Sequence, residues 1–157
     1  MVEEIFKIYL SHHIRGPKGE EATPEDMRAN CDKHHKIGEE IGAYLYDWWK
    51  ILGFPKAELY VPADHDEFIQ IAYRKNIITE AQILEVDCDI VSSCSLLIAF
   101  TDSELSKGMK IEVDHALNVG VPIYYMPDTS RSSIGGLNLA MRHILGDDIE
   151  NNDIYED

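Results

Sequence analysis

The stretch that most constrains this chain is Cys94-Ser95-Leu96-Leu97-Ile98-Ala99-Phe100. A strand with one wet face alternates polar and apolar residues, whereas a strand covered on both faces reads as a continuous apolar run. Ser95 to Phe100 is of the second kind, typical of a parallel sheet with helices on both sides. It is also the longest apolar run in the chain, well short of the about 18 residues that a membrane-spanning helix needs.

The surrounding pattern agrees. Ile5 to Leu10 forms a short β-rich segment that opens into a loop with Gly16, Pro17 and Gly19. Thr23 caps a helix with Pro24 at its first position, and Ile37, Ile41, Tyr44, Leu45 and Trp48 recur at helical spacing as far as Leu52. Gly53 stops it. Ala57 to Val61 is a second strand closed by Pro62, and Thr79 to Ser92 is helical. After the apolar strand come a helix from Lys107 to Asn118 ended by Gly120, a strand from Val121 to Tyr125, and a helix from Gly136 to Leu145. Alternating strands and helices imply α/β architecture: one Rossmann-like or flavodoxin-like domain over residues 1–146, with a parallel sheet and crossover helices. Residues 147–157 read as an acidic tail. Sites in such sheets gather at the carboxyl ends of the strands. Here these are His12 to Gly19, Pro62 to Asp66, Thr101 to Gly108 and Met126 to Ser133.

Composition narrows the function. A formal net charge of -15 disfavours nucleic acid polymers and anionic membranes, whose partners bring basic residues. A small phosphorylated ligand remains compatible, since a few amides and one arginine hold a phosphate. Cys31, Cys88 and Cys94 lack metal-ligand spacing, and their odd number argues against a disulfide framework. Neither a metal nor a cofactor is expected. The start Met1-Val2-Glu3-Glu4 lacks the basic and apolar parts of a signal peptide, so the expectation is a cytoplasmic protein.

Four segments hold candidate chemistry. Tyr9-Leu10-Ser11-His12-His13-Ile14-Arg15-Gly16 is a strand end entering a loop whose amides and arginine suit a phosphate, or simply a surface loop. Asp102 to Glu112 is a strand end, a small-residue loop and a helix start; read alone, Glu112 is a solvated helix residue. Asp87-Cys88-Asp89 reads alone as an exposed helix face, and Ala63-Asp64-His65-Asp66 as a helix cap.

Together these segments resemble the nucleoside 2-deoxyribosyltransferase superfamily, closest in pattern to its nucleoside 5'-monophosphate N-glycosidases. The resemblance spans Ile5 to about Leu145. It rests on Tyr9 followed by Ile14-Arg15-Gly16, on Asp87 ahead of the apolar strand, and on Ser106-Lys107-Gly108 four residues before Glu112. It implies an N-glycosidase, with Glu112 attacking the anomeric carbon, Tyr9 orienting that carboxylate and Asp87 serving the base as proton donor. It places the 5'-phosphate on His13, Ile14, Arg15 and Gly16 with Ser106 and Gly108. His12 and His65 become candidates for the base side. It also implies a homodimer or larger assembly in which Asn138 of Gly136-Leu137-Asn138 reaches across to the neighbouring subunit's pocket. The chain departs from the pattern in two places: His12-His13 stands where the nucleotide hydrolases carry a small Gly-Ser pair, and Asp114-His115 where the family often has Gly-Tyr or Gly-Arg. Trp48 and Trp49 read as core and interface.

The two-carboxylate chemistry parallels that of retaining glycosidases. A transferase exchanging bases between nucleosides and a non-catalytic nucleotide-binding module are the alternatives.

Overall fold

The computed structural model describes residues 4–16 and 18–146. Pro17 of the first loop and the acidic tail at 147–157 lie outside the described residues. Four strands, β1 (Phe6–Ser11), β2 (Ala57–Tyr60), β3 (Leu96–Phe100) and β4 (Ile123–Met126), form a wholly parallel sheet in the order β2-β1-β3-β4. Five α-helices flank it: α1 (Pro24–Leu52), α2 (Asp66–Arg74), α3 (Glu80–Ser92), α4 (Lys107–Val119) and α5 (Arg131–Leu145). The molecule is therefore a doubly wound α/β domain of the Rossmann-like or flavodoxin-like kind. The direction of winding reverses between β1 and β3, and the carboxyl ends of those two strands frame the cleft where such folds bind ligands.

All five residues of β3 are buried, as a central strand requires. Along β1 the alternation divides the core. Phe6, Ile8 and Leu10 point to one face and pack with Ile41, Leu45 and Trp48 of α1 and Ile134, Leu137 and Met141 of α5. Tyr9 points to the other face, where it joins Val91 of α3 and Val113 and Ala116 of α4. Burying each such aliphatic side chain contributes about 1.5–3 kcal/mol before conformational entropy is subtracted.

Helix α1 starts where Thr23 and Asp26 form a reciprocal capping box, and it ends at Gly53, whose φ of +75° suits a residue without a Cβ. Trp48 lies in the core, while Trp49 carries the Lys50 ammonium 3.8 Å from its ring centroid.

The structure differs from the sequence pattern in two elements. Helix α2 occupies a stretch to which the pattern assigned no element beyond the helix cap read at Ala63 to Asp66. It is amphipathic, but it buries none of its residues and no side-chain hydrogen bond caps its start. Helix α5 begins at Arg131 rather than Gly136, capped by Ser130. The Gly135-Gly136 pair reads as a breaker, yet the missing side chain at Gly136 makes room for Tyr124. A Cβ there would lie 2.2 Å from the Tyr124 hydroxyl, which donates to the Ser133 carbonyl at 2.7 Å.

Candidate active site

Parallel pairing sets the site's first layer. Tyr9 and Ser11 are two residues apart on β1, so both project toward α3 and α4. Opposite them Glu112 enters from the second turn of α4, a helix fixed by Ser106, whose hydroxyl oxygen accepts from the Met109 amide at 3.2 Å. The Tyr9 hydroxyl donates to Glu112 Oε2 in a short hydrogen bond, and the Ser11 hydroxyl donates to Glu112 Oε1 at 2.8 Å. Each carboxylate oxygen is thus held by one hydroxyl.

Glu112 is only 5% exposed, and among the described residues no ion pair reaches it. Burial pushes its carboxyl up to about 7 against the two hydroxyl donors, which favour the anion, and the charge of Asp87 adds to the rise. Asp87, on α3, is itself buried, and that burial moves its carboxyl up to about 6. The Tyr9 phenol is held well above its ordinary range by burial and then by the neighbouring Glu112 and Asp87. Two carboxyls near neutrality, close enough for Asp87 to act on Glu112 and with no ion pair among the described residues, form a pair able to hold one proton and offer one anion.

Tyr60 completes this face. It is the register partner of Tyr9, and their rings stack with centroids 5.4 Å apart. His65 stacks on Tyr60 at 4.9 Å and is exposed.

The loop after β1 is built differently. The side-chain amide of Asn30 donates to the carbonyls of His13 and Ile14, the latter at 3.1 Å. Gly16, at φ +78°, passes so close that a Cβ would sit 3.3 Å from the Asn30 side chain. The His13 Nε2–H donates to the Glu104 carbonyl, tying this loop to the one after β3. The Lys33 ammonium pairs with Asp102 across the same gap. Arg15 is half-exposed and makes a long ion pair with Glu80 at 3.8 Å.

His12 faces away from Glu112, on the α1 side of the sheet. It stacks on His34 at 4.3 Å, its Nδ1–H donates to the His13 carbonyl at 2.8 Å, and its Nε2 accepts from the Ala63 amide at 3.1 Å. Burial and then the adjacent His34 push it down to about 3, so it is a neutral strut. Both of its ring nitrogens are occupied by the fold. Asn138 lies on α5, again on the α1 face, where its Oδ1 accepts from Arg142 Nε at 2.8 Å.

The structure therefore brings Tyr9, Asp87 and Glu112 together, with Ser106 and Gly108 at the start of the same helix as Glu112. It puts His13, Ile14, Arg15 and Gly16 on the adjoining loop, His65 at the rim, and His12 and Asn138 elsewhere. Sequence reasoning missed Ser11 and Tyr60. Ser11 was legible as the residue two places beyond Tyr9; Tyr60 needed the strand register. Among the described residues no group of three or more His, Cys, Asp or Glu side chains is arranged to hold a metal ion, and the three cysteines are free.

Fold and site together define a doubly wound α/β domain with a buried, hydroxyl-clamped carboxylate at its topological switch point. Compared with known proteins, the chain matches no family model, no curated protein and no solved structure.

Proposed function

We propose that this protein is an N-glycosidase that hydrolyses the base–sugar bond of a nucleoside 5'-monophosphate through a glycosyl intermediate on Glu112. The observation that carries the reading is the state of Glu112: buried, gripped at both oxygens, and without a cation. Such a carboxylate is costly to ionise in an empty site and is best used against a ligand that develops positive charge. The anomeric carbon of a nucleoside losing its base is such a ligand.

In this reading Glu112 attacks the anomeric carbon as the C–N bond breaks. The bonding pair leaves with the base nitrogen, and the Asp87 carboxyl gives its proton to the base. Water then attacks the same carbon, its proton passes to Asp87, and Glu112 leaves as the anion. Before substrate binds, Glu112, raised to about 7, holds a shared proton more tightly than Asp87, raised to about 6. The reaction therefore requires the substrate's developing positive charge to favour the Glu112 anion and shift that proton to Asp87. The 5'-phosphate rests on the Ile14 to Gly16 loop with Arg15. The Arg15–Glu80 pair is exposed and long, so a phosphate displaces Glu80 at little cost. A second copy of the chain would bring its Asn138 to the pocket in a homodimer.

The test is a panel of ribo- and deoxyribonucleoside monophosphates assayed for free base by chromatography, with and without an added acceptor base. Base release from a monophosphate, abolished by Glu112→Ala, supports the reading. Exchange of label into the added base without any need for phosphate assigns the transferase reaction instead. Binding that persists in Glu112→Ala, with no turnover by the wild type, assigns a binding module.

A further inference from the structure

Resting on the glycosidase reading, we propose that Tyr60 is a substrate-contacting residue of this site, its hydroxyl donating a hydrogen bond to an acceptor atom of the departing base. Three observations carry it. First, the register pairs Tyr60 with Tyr9 across β1 and β2, so the two phenols leave the sheet side by side on the face that holds Glu112. Second, the stack fixes the Tyr60 ring. The ring stacks with Tyr9 at 5.4 Å and with His65 at 4.9 Å, with interplanar angles of 20° and 15°. A ring held by two stacked neighbours has little freedom to swing, which fixes where its hydroxyl points. Third, that hydroxyl makes no hydrogen bond to any described residue, although the parallel phenol of Tyr9 is fully engaged.

The surroundings say which part of the ligand it meets. Burial and the charges of Asp87, Glu112 and Asp64, in that order, hold the Tyr60 phenol in its protonated form. It is therefore a neutral donor across the neutral range. Of the charges that act on it, that of Asp87 acts most strongly, ahead of Glu112. The hydroxyl is assigned to the Asp87 side of the site. In the proposed reaction the ligand group on that side is the base, which gains the electron pair of the breaking C–N bond. Asp87 transfers its proton there, while Tyr60 keeps its own and only donates a hydrogen bond. The acceptor is a ring nitrogen or carbonyl oxygen of a heteroaromatic leaving group. A neutral donor aimed at developing negative charge typically contributes about 10²–10³ in rate.

Tyr60→Phe tests this, because it removes the hydroxyl and keeps the stacked ring. Tyr60→Leu removes both, and so separates packing from hydrogen bonding. Turnover is measured on monophosphates whose bases differ in acidity, and equilibrium binding on free adenine, free uracil and ribose 5-phosphate. In Tyr60→Phe the expected result is a fall in kcat of about 10² for the poorest leaving base, shrinking as the base becomes a better leaving group. Affinity for the wild-type protein's preferred free base falls several-fold, and that for ribose 5-phosphate stays unchanged. A uniform fall across bases, or weaker ribose 5-phosphate binding, would place the hydroxyl on the sugar and overturn the proposal. So would a Tyr60→Phe variant that matches wild type while Tyr60→Leu does not, since the ring alone would then matter. Absence of wild-type turnover overturns the glycosidase reading, and the binding measurements still decide Tyr60: neither base binding to wild type, or equal base affinity in Tyr60→Phe, refutes its role.

Discussion

Replacing Glu112 with glutamine should stabilise the protein at alkaline pH, and the structure sets the size of the effect. Glutamine keeps the shape, accepts from Tyr9 and can pair with the Ser11 hydroxyl, so the change removes chiefly the charge. Because burial raises the Glu112 carboxyl, the folded chain binds its proton more tightly than the unfolded chain does. Between the ordinary carboxyl pKa and the raised one, unfolding releases that proton, and stability falls as pH rises. The rise from 4.5 to about 7 corresponds to about 3.5 kcal/mol, at about 1.4 kcal/mol for each pH unit. Below about pH 4.5 the wild type and Glu112→Gln should have similar stability; above about pH 7 the variant should be ahead by about 3–3.5 kcal/mol. For a chain of this length that is roughly 9–11 °C in Tm. Urea melts at intervals from pH 4 to pH 8 measure it directly. If Glu112→Gln were no more stable than wild type at pH 8, or kept the full wild-type fall between pH 5 and pH 7, Glu112 would not be the uncompensated buried charge described here.

Three further outcomes follow from named contacts. Tyr9→Phe removes one of the two donors that favour the Glu112 anion, so its carboxyl should rise further, by about one pH unit, in a carboxyl-carbon NMR titration; an unchanged midpoint would mean the hydroxyl bond contributes nothing. His12 has the opposite sign. Its folded pKa of about 3 lies below the ordinary 6.5, so stability is lost as pH falls from about 6.5 toward 3, and His12→Gln should flatten that acid limb in thermal melts. Gly136→Ala should force Tyr124 off the Ser133 carbonyl and destabilise by about 1–3 kcal/mol, read as a lower urea midpoint with an unchanged slope; a neutral result would show that α5 shifts freely over the sheet.

Much of this fold could be read from the chain because its signals are local. The unbroken apolar run at Leu96 to Phe100 specifies a strand covered on both faces, and Thr23-Pro24 with Gly53 brackets α1 to the residue. What escaped was structure whose cause lies elsewhere in the fold. Helix α2 is amphipathic but only nine residues long and buries none of them, and its start has no side-chain cap. Gly136 sits mid-helix because Tyr124, on a different strand, needs the space. The site divides in the same way. Read alone, Asp87 and Glu112 are exposed helix residues and only the family resemblance singles them out, because their burial depends on the packing of α3 and α4; Tyr60 joins them through its register with Tyr9, which the sequence does not state. The paired histidines show the limit most clearly. Adjacent in sequence, they go to opposite tasks because a strand end turns successive side chains to opposite sides: His12 packs under the sheet against His34, while His13 reaches over to Glu104.

That division explains how the domain tolerates its own site. Ionised Glu112 works against folding, and its cost grows over a range in which the His12 contribution is still rising. The His12 contribution is complete above about pH 6.5 and the Glu112 penalty is absent below about pH 4.5, so between these the two limbs oppose each other, while Asp87, raised to about 6, adds to the fall on the Glu112 side. Above that range the ion pair and hydrogen bonds on the other side of the cleft must hold the loops in place. Lys33–Asp102, Asn30 on the His13 and Ile14 carbonyls, and His13 on the Glu104 carbonyl do so without touching Glu112. A ligand that brings positive charge to Glu112 would relieve the penalty and stabilise the fold most at alkaline pH, by an amount that shrinks toward pH 5. A cationic transition-state mimic, such as an iminosugar 5-phosphate, should therefore raise Tm more at pH 8 than at pH 5, after allowance for the mimic's own ionisation. A neutral sugar phosphate should show no such trend from Glu112. If the two ligands gave the same pH dependence, the buried carboxylate would not be the group that meets the charge.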